Sequence, residues 1–556
     1  MIANRGAYQG YFSGDDLDNI RWTRPVPAVD FMLALLSPRY YPNNFRPVGH
    51  GLYHVMGWQA GLNFPRYVTL IHVLHGLNCV LLWLLIRRLV GDDAKAGLQR
   101  AAATTAGVLF FGFHAATFDV SWKPMYLFDL TCATLTLLSL LCYVSRRYVL
   151  SFIAFWVSIK AKEMAVMLPV VLLAYEWWLA ERRWKRLIPF FAASAVIGMQ
   201  GLLLNPAAGE AYAIQLSPGA VMQTVVFYGG RIMPLAWLVL PMAALPFVIR
   251  DKRVWWGYAS FFVLLAPLLL VPGRMSGAYL YVPFTALAAA VAVLPLRGPW
   301  LLAAVAVAAW LPGNYLLLRE YRRAELTYSW ENRRYVETLM SQRSELAGVK
   351  SFLYDGSPPT LNWWGVLGAL RIVLDSDDIR LQPVQEVNMG EVPQWEGVAL
   401  LTWDPGAREL SVAARRPGVP AVGYLTINAK TPVWQLGEGW YPLEHGYRWI
   451  EPRATARLMR PEDAARFEIY VNVGPDYIRA VKRSQVEVLL NGRSVGSAEF
   501  TEHGWQRRSW PLTPAPAGQV EVEFRVLPEF RPNATDPRAL GIAIGGFGFL
   551  VNTAPR

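Results

Sequence analysis

Charge is scarce in this chain. Only 17% of its 556 residues are Asp, Glu, Lys or Arg, against about 25% in ordinary soluble domains. A conventional soluble protein is thereby excluded. Cysteine is scarcer still, with three residues, Cys79, Cys132 and Cys142. All three sit inside apolar runs, where they read as small core residues, and no spacing among them suggests a metal site. The polar C-terminal region has none, which excludes disulfides there. Acidic residues number 41 against 53 basic ones, for a net charge of +12. There are no tandem repeats, no low-complexity linker and no signal peptide at the N-terminus.

What fills the sequence instead is apolar. From about Arg66 to Leu318 it consists mostly of long apolar runs separated by short basic stretches. Runs of about 17–25 such residues are long enough to cross a bilayer as helices. About ten spans are expected, near 67–86, 101–118, 127–145, 148–160, 163–180, 187–204, 233–249, 254–271, 279–296 and 299–318. The seventh carries Pro234, Pro241 and Pro246 and is expected to kink. The excess of Lys and Arg therefore reads as membrane anchoring, and no nucleic-acid partner is expected.

The same charges set an orientation. Arg87, Arg88, Lys95 and Arg100, then Arg146 and Arg147, then "ERRWKR" at 181–186, then "RDKR" at 250–253 fall in alternate loops. The richer set faces the cytoplasm under the positive-inside rule. Residues 1–66 and everything after 318 then lie outside, as in a multi-pass bacterial-type inner (cell) membrane protein. "REYRR" at 319–323 is the exception. Because nothing before residue 66 could carry the first loop across, a further helix upstream of Met1 is expected.

Three regions follow. Residues 1–324 form the membrane domain, with a first outer loop over 1–66 and spans over 67–318. Residues 325–395 read as a small α/β module, with "SWENRRYVETLMSQRSEL" and "NWWGVLGALRIVL" helical and "KSFLYDG" a strand. Residues 396–556 alternate with period two between turns, as in a β-sandwich. Asn491-Gly492 between two such runs predicts a hairpin. Trp434, Trp440, Tyr441, Tyr447 and Trp449 could stack on sugars in a carbohydrate-binding-like sandwich, or simply fill its core.

Candidate chemistry gathers in the loops assigned to the outer face. "GYFSGDDLDNI" at 10–20 places Asp15, Asp16 and Asp18 together. Such carboxylates are solvated or cap a helix in many loops; at a membrane face Asp15 or Asp16 could also act as a general base, or hold a divalent cation beside a phosphate. Arg46, in "NNFRPVGH", offers a guanidinium fork suited to phosphate, or to anchoring on lipid headgroups. His50 and His54 stand four apart, but no third metal ligand lies nearby.

"FHAATFDVSWKPMYLFD" at 113–129 brings His114, Asp119, Lys123 and Asp129 into one loop. "IKAKEMAVMLP" at 159–169 interrupts apolar sequence with Lys160, Lys162 and Glu163, and "GRMSGAYLYVP" at 273–283 adds Arg274 and Tyr279. Ionisable groups at membrane depth are costly and point to function, although a Lys–Glu pair at a helix end is also a structural device.

In their order these stretches resemble the glycosyltransferase-C superfamily of polytopic enzymes, in particular the protein O-mannosyltransferases and the tetratricopeptide-bearing transmembrane O-mannosyltransferases. The resemblance covers about residues 10–295. "GDDLDNI" matches the acidic pair of the first outer loop, "FRPVGHGLYH" the arginine-proline, and "LIHVLHGLNCVLLWLLIRRL" at 70–89 a His- and Asn-bearing helix. "IKAKEMAVMLPVVLLAYE" is similar to the Ser-Lys-Glu segment, and "GRMSGAYLYVP" to the Glu-Arg-Tyr-Leu-Tyr-Pro segment. The family's His-Pro is His114-Ala115 here, its glutamate before the arginine is absent, and no tetratricopeptide pattern follows.

The resemblance implies an inverting hexosyltransferase that moves a sugar from a polyprenyl-phosphate carrier to a hydroxyl of a protein or glycan acceptor. Asp15 or Asp16 would be the catalytic base. Arg46, His50, His114, Asp119, Lys123, Lys162, Glu163, Arg274 and Tyr279 would line the substrate. Membrane lipid is the surrounding partner, and some branches of the superfamily use a divalent cation. The alternative is a non-catalytic membrane scaffold, or a glycan-binding or assembly protein, on the same fold.

Overall fold

A computed structural model describes residues 2–551 of the chain, apart from 42–44, 92–96, 205–212, 234–238, 298–299, 388–391, 393–396, 416–420, 533–535 and 537. Of the residues singled out above, Lys95 and Pro234 lie outside those described. The chain divides into two compact units, Met1–Ser329 and Trp330–Arg556.

The first unit is helical. Four stretches are long and apolar enough to cross a membrane: Phe64–Val90, Pro124–Val144, Trp184–Leu204 and Gly277–Arg297. Gly97–Phe113 and Ala115–Trp122 add a fifth if a pair bent by 53° counts as one span. These five candidates fall on the spans expected near 67–86, 127–145, 187–204, 279–296 and 101–118. Apolar runs that look continuous in sequence are broken into shorter helices.

The expected spans at 148–160 and 163–180 become Tyr148–Ala161, a 3-10 turn Glu163–Met167, and Leu168–Trp178. Among the described residues, the expected span at 233–249 holds the helix Val239–Ile249, with Pro246 inside it. Another helix, Pro218–Ile232, precedes it; Gln223, Gly229, Gly230 and Arg231 had diluted its apolar run. The first 66 residues, expected as a loop, contain the helices Gly14–Thr23, Ala28–Leu36 and Pro47–Ala60.

At the centre of this unit lies Tyr281–Val291, buried along almost its whole length. Its alanines let the helices Lys252–Leu269 and Gly97–Phe113 approach closely, the packing mode that small residues permit. Leu127–Val144 packs between Phe64–Val90 and Tyr148–Ala161.

The helix Trp300–Ser341 runs without interruption past the expected boundary at 324. "REYRR" is therefore part of a helix that continues past Pro312, and from Asn314 to Ser341 strong helix formers such as Arg, Glu and Leu run with no Gly or Pro to stop them.

In the second unit a four-stranded sheet has the order Arg380–Pro383, Ser351–Asp355, Val398–Asp404, Glu409–Arg415. The first two pairings are parallel and the last is antiparallel. Val398–Asp404 and Glu409–Arg415 thus join the α/β module, where the sequence had assigned them to the sandwich. Val398–Asp404 is buried along six of its seven residues, as a central strand covered on both faces requires.

The sandwich proper packs a sheet ordered Arg493–Phe500, Ser484–Leu490, Gly518–Leu527, Arg453–Arg460 against a six-stranded one. Phe467, Ile469, Val486, Phe524, Ile544 and Phe547 belong to the core between them. Asn491 and Gly492 both take positive φ, 47° and 76°, and join Ser484–Leu490 to Arg493–Phe500 as the sequence predicted.

Several of the expected sugar-stacking rings turn out to be core. Trp440 lies against Phe524 and Phe547 and donates its indole N–H to the Thr455 carbonyl at 2.6 Å. Trp434 and Trp449 pack on the same core.

Arg448 of the strand Tyr447–Ile450 forms a buried ion pair with Asp355 of the parallel sheet, and also donates to the Tyr441 carbonyl at 3.0 Å. Removing one partner of such a pair strands a buried charge, at a cost of about 3–5 kcal/mol. Asp355→Ala is expected to lower the stability of this unit by that order, read as a loss of midpoint in chemical denaturation. A change below about 1 kcal/mol would mean that the pair is dispensable.

Candidate active site

The site begins at a helix start. Ser13 precedes the helix Gly14–Thr23, and Asp16 occupies its third position. The Ser13 N–H and hydroxyl both donate to Asp16 Oδ2 at 2.8 Å, the geometry of a capping box. The Tyr53 hydroxyl, from the helix Pro47–Ala60, donates to Asp16 Oδ1 at 2.7 Å. Asp16 is fully buried. Burial pushes its carboxyl up to about 6 in spite of the three donors, with Asp15 adding a further upward push. Asp15, one residue earlier, is only partly buried.

Arg46 stands immediately before the helix Pro47–Ala60. Its backbone N–H donates to His50 Nδ1 at 2.9 Å. Burial, reinforced by the Arg46 charge, pushes His50 down to about 3. It is therefore a neutral imidazole that fixes the Arg46 backbone. His50 sits among the rings of Trp22, Phe45 and Phe128. The Phe128 ring occupies the space over Gly49, where an added Cβ would lie 2.1 Å from it. The Arg46 guanidinium lies 5.5 Å from the centroid of the same ring.

From there the Arg46 Nε–H donates to both oxygens of Glu163, at 2.9 and 3.1 Å. Its two terminal nitrogens make no hydrogen bond among the described residues. Lys162, next to Glu163, is extended (φ −162°, ψ 142°) where Tyr148–Ala161 ends. Its Nζ donates to Asp129 Oδ1 at 2.6 Å and stands 4.5 Å from the Tyr279 ring centroid. Arg46, Glu163, Lys162, Asp129 and Tyr279 thus form one linked group. Ring contacts through Phe128 and Tyr53 continue it to Asp16.

A second cluster pairs Lys123 with Asp119 at 3.2 Å and with Glu325 at 2.7 Å. Tyr126 approaches Ser276 at 3.4 Å. Asp119 Oδ2 faces Gly277, at 3.4 Å from where a Cβ would stand. Ser276 caps, and Gly277 opens, the 3-10 turn Gly277–Leu280 that carries Tyr279. Arg274, exposed, ends the turn before it.

His114 is elsewhere. It is buried between Phe110, Phe284 and Trp310, and its Nδ1 accepts from the Ala116 N–H at 3.0 Å. That is a packing and capping position. His54 accompanies the Thr23 carbonyl at 2.9 Å and is not paired with His50 on a metal. Among the described residues no three His, Cys, Asp or Glu side chains converge as metal ligands. Both Asp16 oxygens are already taken by hydroxyl and amide donors.

Sequence reasoning missed Ser13, Tyr53, Phe128 and Glu325. Ser13-x-x-Asp16 is a legible capping spacing, and Tyr53 falls three residues after His50 on the same helix face. Glu325 carries no such signal, since it lies two hundred residues from Lys123.

The titration of Asp16 yields a signed expectation. Its folded value of about 6 exceeds the ordinary Asp value of about 3.9. Between those limits the folded state binds more protons than the unfolded one, so stability falls as pH rises. Comparing wild type with Asp16→Asn isolates this group. From about pH 3 to about pH 7 the difference should move by about 3 kcal/mol in favour of the Asn variant. A difference that stays flat in pH-resolved melting would place the Asp16 titration at its ordinary value.

No protein-family model and no curated protein sequence matches the chain. Solved structures do. The chain is similar to the crystal structure of ArnT from Cupriavidus metallidurans bound to undecaprenyl phosphate, with TM-score 0.47 and 13% identity over 75% of this chain and 96% of that one. The apo state of the same protein gives the same TM-score and identity, covering 98% of its chain. The arabinosyltransferase EmbB from Mycobacterium smegmatis has TM-score 0.31 and 11% identity, over 98% of this chain and 63% of its own.

Proposed function

We propose that the chain is an integral membrane glycosyltransferase that moves a sugar from a polyprenyl-phosphate carrier to an acceptor hydroxyl on the extracytoplasmic side. The observation that carries this reading is Arg46. Glu163 holds its guanidinium through Nε alone, His50 holds its backbone, and its terminal N–H groups are left to meet an anion. A fork fixed in this way suits a lipid phosphate, because its donors are already oriented when negative charge develops on the leaving group.

In the reaction the acceptor oxygen attacks the anomeric carbon opposite the phosphate. The acceptor proton passes to a carboxylate, the bond from the anomeric carbon to the phosphate oxygen breaks, and its electron pair stays on the phosphate next to Arg46. Direct displacement inverts the anomeric centre. Asp15 is the better placed base, being partly exposed, while Asp16 is saturated by Ser13 and Tyr53 and positions the helix start. Lys162, Tyr279, Asp119, Lys123 and Arg274 border the same region and serve donor or acceptor binding.

The acceptor is a protein or glycan hydroxyl, and the chain resides in the cell membrane with its C-terminal region outside. A scaffold reading draws on one observation, that Arg46 and Lys162 each already have a carboxylate partner.

The two readings separate by activity. With a labelled polyprenyl-phosphate sugar and membrane extract, Asp15→Asn should abolish transfer at unchanged expression and melting temperature. Asp16→Asn should lose much less. Arg46→Ala should weaken donor use by about 2–4 kcal/mol of transition-state stabilisation. Full transfer by Asp15→Asn would remove the proposed base, and absence of labelling by wild type with every donor would favour the scaffold.

A further inference from the structure

A pocket of about 470 Å³ opens on the outward face of the six-stranded sheet of the sandwich, far in sequence from the candidate active site. Alternation builds it. In the strand Ala464–Val473, Phe467, Ile469 and Val471 point into the core, so Glu468 and Tyr470 point out. The neighbouring strand Gly504–Pro511 sets Arg507 directly opposite Tyr470 and presents Trp505 two residues away on the same face.

On the other side of Ala464–Val473, the strand Ala543–Val551 shifts register between Ile544 and Gly546, a bulge at Gly545. The Trp505 indole lies over Gly545, with 2.4 Å to where a Cβ would stand. Any other residue there would push the ring off the sheet.

The rings form a wall. Trp505 stacks on Tyr470 with centroids 4.6 Å apart and planes at 23°, and is itself 45% exposed. Tyr447 meets Trp505 edge-on at 6.2 Å. Beside the wall stand matched polar groups. Arg507 donates to Glu468 at 2.7 Å, and the Tyr424 hydroxyl donates to the same oxygen at 2.9 Å. The pair leaves the pocket a carboxylate acceptor and a guanidinium donor side by side with no net charge.

We infer that this pocket is a saccharide-binding site for a neutral pyranose. A pyranose has an apolar C–H face, which covers an exposed aromatic ring, and a rim of adjacent hydroxyls, which need an acceptor and a donor close together. Trp505, backed by Tyr470, supplies the first requirement, and Glu468 and Arg507, whose guanidinium lies 4.3 Å from the Tyr470 ring centroid, the second. A charged ligand would meet an already neutralised ion pair. A protein partner would meet a recess, where a broad apolar patch would suit it better. The site lies wholly within the sandwich and does not depend on the transfer reaction proposed above.

The test uses the full-length chain in a detergent without a sugar headgroup, such as an amine oxide. Cellobiose, mannobiose, lactose and N,N′-diacetylchitobiose are titrated while tryptophan fluorescence and saturation-transfer NMR are followed. At least one should bind. Trp505→Ala and Glu468→Gln should each weaken that binding by about tenfold or more, and Trp505→Phe, which keeps a ring, should lose less. Asp15→Asn should bind like wild type, which separates this site from catalysis. If Trp505→Ala melts early, Glu468→Gln and Trp505→Phe carry the comparison. Binding of none of the four sugars, or binding unchanged by Glu468→Gln and Trp505→Ala, overturns the inference.

Discussion

Lys162 and Glu163 are consecutive in the chain, and the backbone at Lys162 is extended between one helix and a 3-10 turn. Their side chains therefore leave towards two separate partners. Lys162 reaches Asp129 at the start of Leu127–Val144, while Glu163 reaches Arg46 at the start of Pro47–Ala60. Each of these charges would be costly alone in apolar surroundings, and each is tolerable because its partner is held in place. Three segments distant in sequence are thus fastened at one point by a break in what would otherwise be a longer helix. The helix break costs backbone hydrogen bonds, and the ion pairs it delivers are the compensation.

The candidate site inherits its precision from that fastening. Arg46 is constrained at three places: its amide by His50, its Nε by Glu163, and its guanidinium face by Phe128. A long, flexible side chain loses most of its freedom in this way, which under the proposed function lowers the entropy cost of binding an anion. The acidic helix start follows the same logic. Asp16 is spent on Ser13 and Tyr53, and in return Asp15 is presented from a rigid first turn.

The C-terminal unit answers a different constraint. Its core rings, Trp440, Phe524 and Phe547, stabilise two packed sheets, and the same pleat sends Trp505 and Tyr470 to the opposite face. Rings near one another in the sequence are not equivalent for this reason. Their role follows from the side of the strand on which each falls, and the bulge at Gly545 decides where the outward face can hold a flat ring against the backbone.

Much was legible in the sequence alone. Low charge and long apolar runs dictated a helical membrane-type region, period-two alternation dictated a β-rich tail, and Asn491-Gly492 dictated its hairpin, because these signals arise from local transfer energies and backbone preferences. The clustering of charge in the stretches around Asp15, Arg46, Asp119, Lys162 and Tyr279 was equally visible. What the sequence could not supply was the pairing: that Lys162 turns to Asp129 and Glu163 to Arg46, that His114 is packing, that Glu325 closes on Lys123, and that Val398–Asp404 joins the parallel sheet. Those outcomes were decided only in the tertiary structure, because they depend on the relative positions of groups tens to hundreds of residues apart, and a buried charge selects its partner by distance in space.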